Sequence, residues 1–143
     1  MHYFPWWISL LGSVAVAAAD LPYVNWENHP IHALDLSPDG RLLAVAHTAD
    51  QRVQLFDVSS GEPVSIGHVV VGVDPVSVRF RTAGELWVVN HISDSVSVVD
   101  VAQRRVIDTL ATADEPFDVA FAANQAFIIR PASGLIRTNP AGV

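Results

Sequence analysis

Apolar and polar positions along this chain fall into short runs that repeat. Leu86-Trp87-Val88-Val89 is followed by a polar connector from Asn90 to Ser95, then by Val96-Ser97-Val98-Val99-Asp100 with period-two alternation. Aromatic and β-branched residues dominate both runs, which suits a pleated, half-buried surface and not a helix. The same phrase stands 44 residues earlier as Leu42-Leu43-Ala44-Val45-Ala46-His47, a connector from Thr48 to Arg52, and Val53-Gln54-Leu55-Phe56-Asp57. A period in the low forties predicts a repeat architecture.

Taken in order, residues 20–28 read as a lead-in that could add one edge strand, and a first unit spans 29–72. Its strands are expected at Ile31 to Leu36, Leu42 to Ala46, Val53 to Asp57 and Pro63 to Val71. Ser37-Pro38-Asp39-Gly40 makes a type I turn, with proline where it presets φ and Gly40 closing it. A second unit, 73–113, restarts at Asp74-Pro75, with Gly84 in its first turn and Arg105 to Leu110 as fourth strand. A third, 114–143, opens at Glu115-Pro116 with strands at Phe117 to Phe121 and Ala126 to Ile129, after which the pattern is expected to fail in an aberrant tail. The reading is all-β: four-stranded antiparallel blades of a β-propeller, about two and a half of them. A β-sandwich also accounts for many short strands, but it does not predict three restarts at a proline followed by a branched or aromatic residue.

Met1 to Ala19 changes the picture of compartment. It has an apolar run from Phe4 to Leu11, no acidic residue, and Ala17-Ala18-Ala19 before Asp20, the pattern of a cleaved secretory signal, although its only basic group is His2. The expected location is periplasmic or extracellular, in a bacterium; a membrane enters only if the segment stays uncleaved as an anchor. The net charge of -7 argues against nucleic acid, which needs clustered cations. With no lysine there is no Schiff-base chemistry and no P-loop; with no cysteine there is no disulfide, thiolate metal site or C-x-x-C-H haem attachment.

Val88-Val89-Asn90 and Ser95-Val96-Ser97-Val98-Val99-Asp100 resemble the repeat of the YVTN family of bacterial β-propellers, the YncE-like proteins. The Ser37-Pro38-Asp39-Gly40 turn and the proline opening of each unit belong to the same pattern, so the resemblance runs from Pro30 to about Ile129. Similar repeats occur in haem d1 domains of nitrite reductases and in lactonase-like propellers. The resemblance implies a ring of seven blades, of which this chain supplies fewer than three. The expectation is therefore an amino-terminal fragment of a longer protein, with ring closure by several copies as the alternative. An unclosed array leaves sheet faces and edges open to self-association. The role it implies is a binding scaffold for a protein, glycan or small ligand, since such propellers host unrelated activities. The alternative is a redox or hydrolytic module whose site lies mostly on further blades; no cofactor is predicted for this chain, haem or metal entering only through a complete propeller.

His47 and His91 read as equivalent positions just after the second strand of successive units. Two imidazoles converging there could bind a metal or haem iron; equally, each could cap a turn through a backbone hydrogen bond, and Arg130 stands there in the third unit. His29, Asp74 and Glu115 precede the blade-opening Pro30, Pro75 and Pro116. They are candidate rim contacts, or solvated loop residues beside a residue that lacks a donor. His32 and Asp35, with counterparts Ser77, Arg79, Asp118 and Ala120, place polar groups on the innermost strands, as a solvated channel or a site would. Asp57 and Asp100 close third strands and read as Asx hydrogen-bond acceptors. Trp87, Phe127 and Leu43 read as one repeated packing position between blades. No Gly-x-Ser-x-Gly, zinc-protease pair or nucleotide loop occurs.

Overall fold

The computed structural model describes residues 29–131 and 134–138; the signal and lead-in segments and the last five residues lie outside them. Those residues form three antiparallel sheets and no helix. Blade 1 contains β1 (Leu34–Leu36), β2 (Leu42–His47), β3 (Arg52–Asp57) and β4 (Val64–Val70), paired in that order. Blade 2 contains β5 (Pro75–Thr82), β6 (Glu85–Asn90), β7 (Ser95–Asp100) and β8 (Arg105–Ala111). Blade 3 contains β9 (Asp118–Ala122), β10 (Gln125–Arg130) and β11 (Gly134–Thr138). Each blade is a meander of neighbouring strands, as expected of propeller repeats.

Two expectations need correction. The first strand was expected from Ile31, but β1 starts at Leu34 because the chain before it is claimed by the next blade. Ile31 N and His32 N donate to Val76 O at 2.8 and 3.2 Å, and Val78 N donates to His32 O at 2.9 Å. The segment leading into β1 is thus bonded through its backbone to β5, the innermost strand of blade 2. The repeat also does not fail after Ile129: Gly134, at φ 84°, starts β11, which pairs along β10 from Arg130↔Gly134 to Ala126↔Thr138. The Pro-Ala-Ser-Gly stretch masks a third strand whose alternation is weakened by Arg137.

Two apolar cores lie between the sheets. Ala44, Val53, Leu55 and Val69 of blade 1 pack with Val78, Phe80, Leu86, Val88 and Val99 of blade 2. Val76, Trp87, Val89, Val96 and Val98 of blade 2 pack with Val119, Ala126 and Ile128 of blade 3. Blade 2 is therefore covered on both faces, which explains why β6 reads as a nearly continuous apolar run and why even the serines of the alternating β7, Ser95 and Ser97, are buried. Trp87 meets Phe121 edge-on at 5.3 Å between ring centroids, and its Nε1 donates to Glu85 Oε1 at 2.6 Å, so the one polar atom of the buried indole is satisfied.

Magnitudes decide what holds the stack. Fully burying a Val, Leu or Phe side chain contributes about 1.5–3 kcal/mol. An exposed ion pair such as Arg52 with Asp50, 2.9 Å apart, contributes about 0–1 kcal/mol. The inter-blade cores dominate. The register shows that Trp87 and Phe127 share one position but that its blade 1 counterpart is Ala44, paired with Leu55 as Trp87 is with Val98; Leu43 is the counterpart of Leu86. Replacing Trp87 with Ala is expected to lower stability by about 3–5 kcal/mol, read as an earlier urea midpoint. A loss under 1 kcal/mol would show that the blade 2–blade 3 core does not form.

Candidate functional site

Polar chemistry gathers in two places, both fixed by the blade stack. The first is the inner edge, where the three sheets come closest. Arg79 of β5 donates from Nη2 to Asp118 Oδ2 at 2.8 Å and from Nε to Asp118 Oδ1 at 3.2 Å, a two-point grip on blade 3. Ser77 Oγ donates to the same Asp118 Oδ1 at 2.5 Å, and Val119 N donates to it at 2.9 Å. Toward blade 1, Arg79 Nη1 lies 3.0 Å from His32 Nε2. A guanidinium has no acceptor, so Nε2 accepts and carries no proton in this arrangement. The same nitrogen is 3.6 Å from Asp35 Oδ1, which is then not an ion pair. Asp35 instead accepts from Phe80 N through Oδ2 at 2.8 Å.

Burial pushes the Asp118 carboxyl up, but its hydrogen bonds from Arg79, Ser77 and Val119 N outweigh that and leave it below the usual carboxylate value. The hydrogen bond to Asp118 in turn raises Arg79, against burial. Three blades thus share one network whose charges are largely answered within it.

The second place is the loop end that holds residues 48–51, 71–74, 91–94 and 112–117. These loops are knitted together: Val71 N donates to Gln51 O at 2.9 Å, His91 N to Asp74 O at 2.9 Å, Thr112 N to Asp94 O at 2.9 Å, and Glu115 N to Asp94 Oδ1 at 2.7 Å. Gly72 is required here for space, because a Cβ would stand 2.6 Å from Asn90 Cγ and would also meet Ser93 Oγ. Among the described residues, six of the eight non-glycine positions with left-handed φ lie in this end: Gln51, Asp74, Asp94, Ala113, Asp114 and Glu115.

The structure separates the two histidines that the sequence paired. His47 pairs with Arg52 in the β2–β3 ladder, and its counterpart in blade 2 is Asn90, paired with Ser95. His91 falls one residue later, so its counterpart is Thr48. A spacing of 44 aligned the two imidazoles, whereas the ladders repeat at the spacing that takes Asp57 to Asp100. Their surroundings differ accordingly. His47 is 43% exposed with Nδ1 3.8 Å from Asp50 Oδ2. His91 is buried, stacked on Phe117 at 4.6 Å, with Nδ1 3.2 Å from Pro116 O and Nε2 3.9 Å from Glu115 Oε2. Nδ1 therefore donates to the Pro116 carbonyl, and the ring acts as a joint between blades 2 and 3. Arg130, the third-blade counterpart of His47 and Asn90, reaches Asp114 Oδ2 at 3.3 Å.

The residues before the prolines do not share one environment. Asp74 is buried and Glu115 and His29 are exposed. Pro75 pairs with Asn90 at the start of β5, Pro116 accepts from His91, and Pro30 is exposed. Asp57 accepts from Ser59 N at 2.8 Å and Asp100 from Gln103 N at 2.7 Å, both as turn-closing Asx acceptors. Gly40 N donates to Ser37 O at 2.8 Å with Gly40 at φ 69°, and Gly84 O accepts from Val101 N at 3.0 Å. The sequence placed Arg79 and Asp118 on inner strands but not against one another; only the spatial order of blades brings them together. The stack of His91 on Phe117 had one signal, the aromatic residue after Pro116.

No family model matches the chain and no curated protein matches its sequence. Among solved structures it is similar to hydrazine synthase of Kuenenia stuttgartiensis, with TM-score 0.71, 22% identity, and coverage of 84% of this chain and 36% of that one. A functionally unknown protein from Desulfotomaculum acetoxidans gives TM-score 0.68 at 15% identity over 74% of this chain and 36% of that one. Kluyveromyces lactis Hsv2 gives 0.55 at 13% over 78% and 33%. The chain thus spans about a third of each of these structures, and the likeness establishes the β-propeller fold.

The Asp118 pairing makes a pH prediction. A carboxyl held below its unfolded value contributes stability above that value and loses it as pH falls through the folded one. The protein is expected to lose stability on acidification below the ordinary carboxylate range. Asp118→Asn is expected to be about 1–3 kcal/mol less stable at neutral pH, with a shallower acid loss. Urea midpoints between neutral pH and pH ~3 check this, and an acid slope equal to that of the parent would reject the pairing.

Proposed function

We propose that this chain belongs to an exported β-propeller of the YVTN type and works as a binding scaffold, with the loop end around His91 as its contact surface. The observation that carries the reading is the concentration of left-handed, non-glycine backbone in those loops, including three consecutive residues from Ala113 to Glu115. Such conformations cost about 1–3 kcal/mol each and persist where the surrounding structure holds them for a purpose. The opposite end is built from turns closed by Asp39, Asp57 and Asp100, and among the described residues it holds only two such positions, Arg104 and Ala123.

The surface these loops offer is acidic and partly apolar. Asp94, Asp114 and Glu115 are exposed around Ile92, 55% exposed, and Val73, 38% exposed. It suits a protein partner with basic groups beside an apolar contact, and a protein of net charge -7 attracts such a partner at long range. The redox alternative has less support, since His47 and His91 stand one register step apart and the Nδ1 of His91 is taken by a carbonyl. Export is supported by the pattern of Met1 to Ala19.

A photo-crosslinking residue at Ile92 is expected to trap a discrete protein in the cell envelope, and the same residue at Ser60, at the opposite end, is not. Equal trapping at both sites, or none, would remove the loop end as the contact surface. Export is checked separately by fractionation and amino-terminal sequencing, with a mature chain expected to begin at Asp20. An intact Met1 on a cytoplasmic product would reject it.

A further inference from the structure

Every blade turns one apolar face to the blade before it and another to the blade after it. On blade 2 the face toward blade 1 carries Val78, Phe80, Leu86, Val88 and Val99, all buried. The strand registers give their counterparts on blade 1 as Leu34, Leu36, Leu43, Val45 and Phe56. That set repeats the apolar character position by position, yet Leu34 and Leu36 are 55% and 53% exposed. At the other end of the stack, Trp87, Val89 and Val96 of blade 2 face blade 3 and are buried. Their counterparts on blade 3 are Phe127, Ile129 and Leu135, and there Ile129 and Leu135 are 50% and 61% exposed. Phe127, Ile129 and Leu135 line a shallow hollow with Asp118, Val119 and Ala120.

One end of the stack therefore carries the surface that blade 2 presents backward, and the other end the surface that blade 2 presents forward. Inside the molecule, surfaces of those two kinds meet twice and form both cores. An open pair of the same kinds is self-complementary in the head-to-tail sense, and exposed apolar patches of this sort mark contact sites.

We propose that a second copy of this chain covers these faces, with the Leu34–Leu36 face of one copy seated on the Ile129–Leu135 face of the next. The contact is heterologous: each copy uses one face and leaves the other open, so assembly continues to a ring or an open chain.

The test uses the 143-residue chain and two variants that place a charge on one face each, Leu36→Glu and Ile129→Glu. Sedimentation velocity over a concentration series is expected to show the parent as species larger than a monomer that grow with concentration. Each variant alone is expected to be monomeric, because every head-to-tail contact needs both faces. An equimolar mixture of the two is expected to give a 1:1 dimer and nothing larger, through the one intact pair of faces. A parent that stays monomeric throughout, as when residues 1–28 of the same chain cover a face, overturns the proposal. So do single variants that still associate, or a mixture that stays monomeric. If circular dichroism shows either variant unfolded, Leu34→Glu and Leu135→Glu on the same two faces decide the matter.

Discussion

The burial of one sheet face against the next is the interaction on which everything else in this molecule rests. A four-stranded sheet that is apolar on both faces has no stable existence by itself in water, because closing its backbone ladders leaves two greasy surfaces exposed. Blade 2 shows the solution. Val78, Leu86, Val88 and Val99 on one side and Val76, Trp87, Val89 and Val96 on the other are all buried, and no polar contact among the described residues rivals their summed contribution. The two cores are built differently. The forward-facing position that is Trp87 in blade 2 is Ala44 in blade 1, so the bulk of the first core comes from blade 2, through Phe80 and Leu86, while Trp87 shares the second with the small Ala126. Packing density is kept by trading volume across each interface instead of repeating one residue.

Given that stack, the polar features become consequences. Bringing the sheets together sets three inner strands side by side, and a charge placed there must find its partner on a neighbouring blade or remain uncompensated. Arg79 finds Asp118 on one side and His32 on the other, and Asp35 takes the free N–H of Phe80. A pair of this kind, about a quarter to a third exposed, adds little net stability beyond offsetting its own desolvation. Its value is positional, because a slide of one blade along its neighbour would part Asp118 from both Arg79 and Ser77. At the loop end His91 does the same work with a flat ring, stacked on Phe117 and hydrogen-bonded to Pro116 O.

Much of the fold was legible because it rests on local pattern. Period-two alternation, the turn chemistry of Ser37 to Gly40, and the prolines opening each unit are all properties of short stretches, and the all-β fold class and most of the strands follow from them. What stayed hidden depends on neighbours far away in sequence. The start of β1 moved because Ile31 and His32 bond to Val76, and β11 went unread because Gly134 supplies a left-handed start that no alternation announces. The inner-edge network was half visible: polar residues on innermost strands were expected, but no local signal says that Arg79 should grip Asp118 and not Asp35. The pairing of His47 with His91 was a true sequence coincidence at a spacing that the ladders do not use.

That last case has a physical lesson. Side chains on a strand change face at every residue, so an error of one position in aligning two repeats moves a residue to the opposite surface of its blade or off the end of its ladder. His47 closes the β2–β3 ladder opposite Arg52 and is open to solvent; Asn90, its counterpart, is buried and donates from Nδ2 to Ser95 Oγ at 3.2 Å and Ser97 Oγ at 3.0 Å. His91, a single step beyond, has left the ladder and turned into the joint with blade 3. Two identical residues one register step apart thus acquire separate roles, one as a solvated strand end and one as an inter-blade hinge pin. Residue identity at a repeated spacing carries functional weight only after the ladder has fixed which positions correspond, because the ladder, and not the count of residues, decides which side chains face the same space.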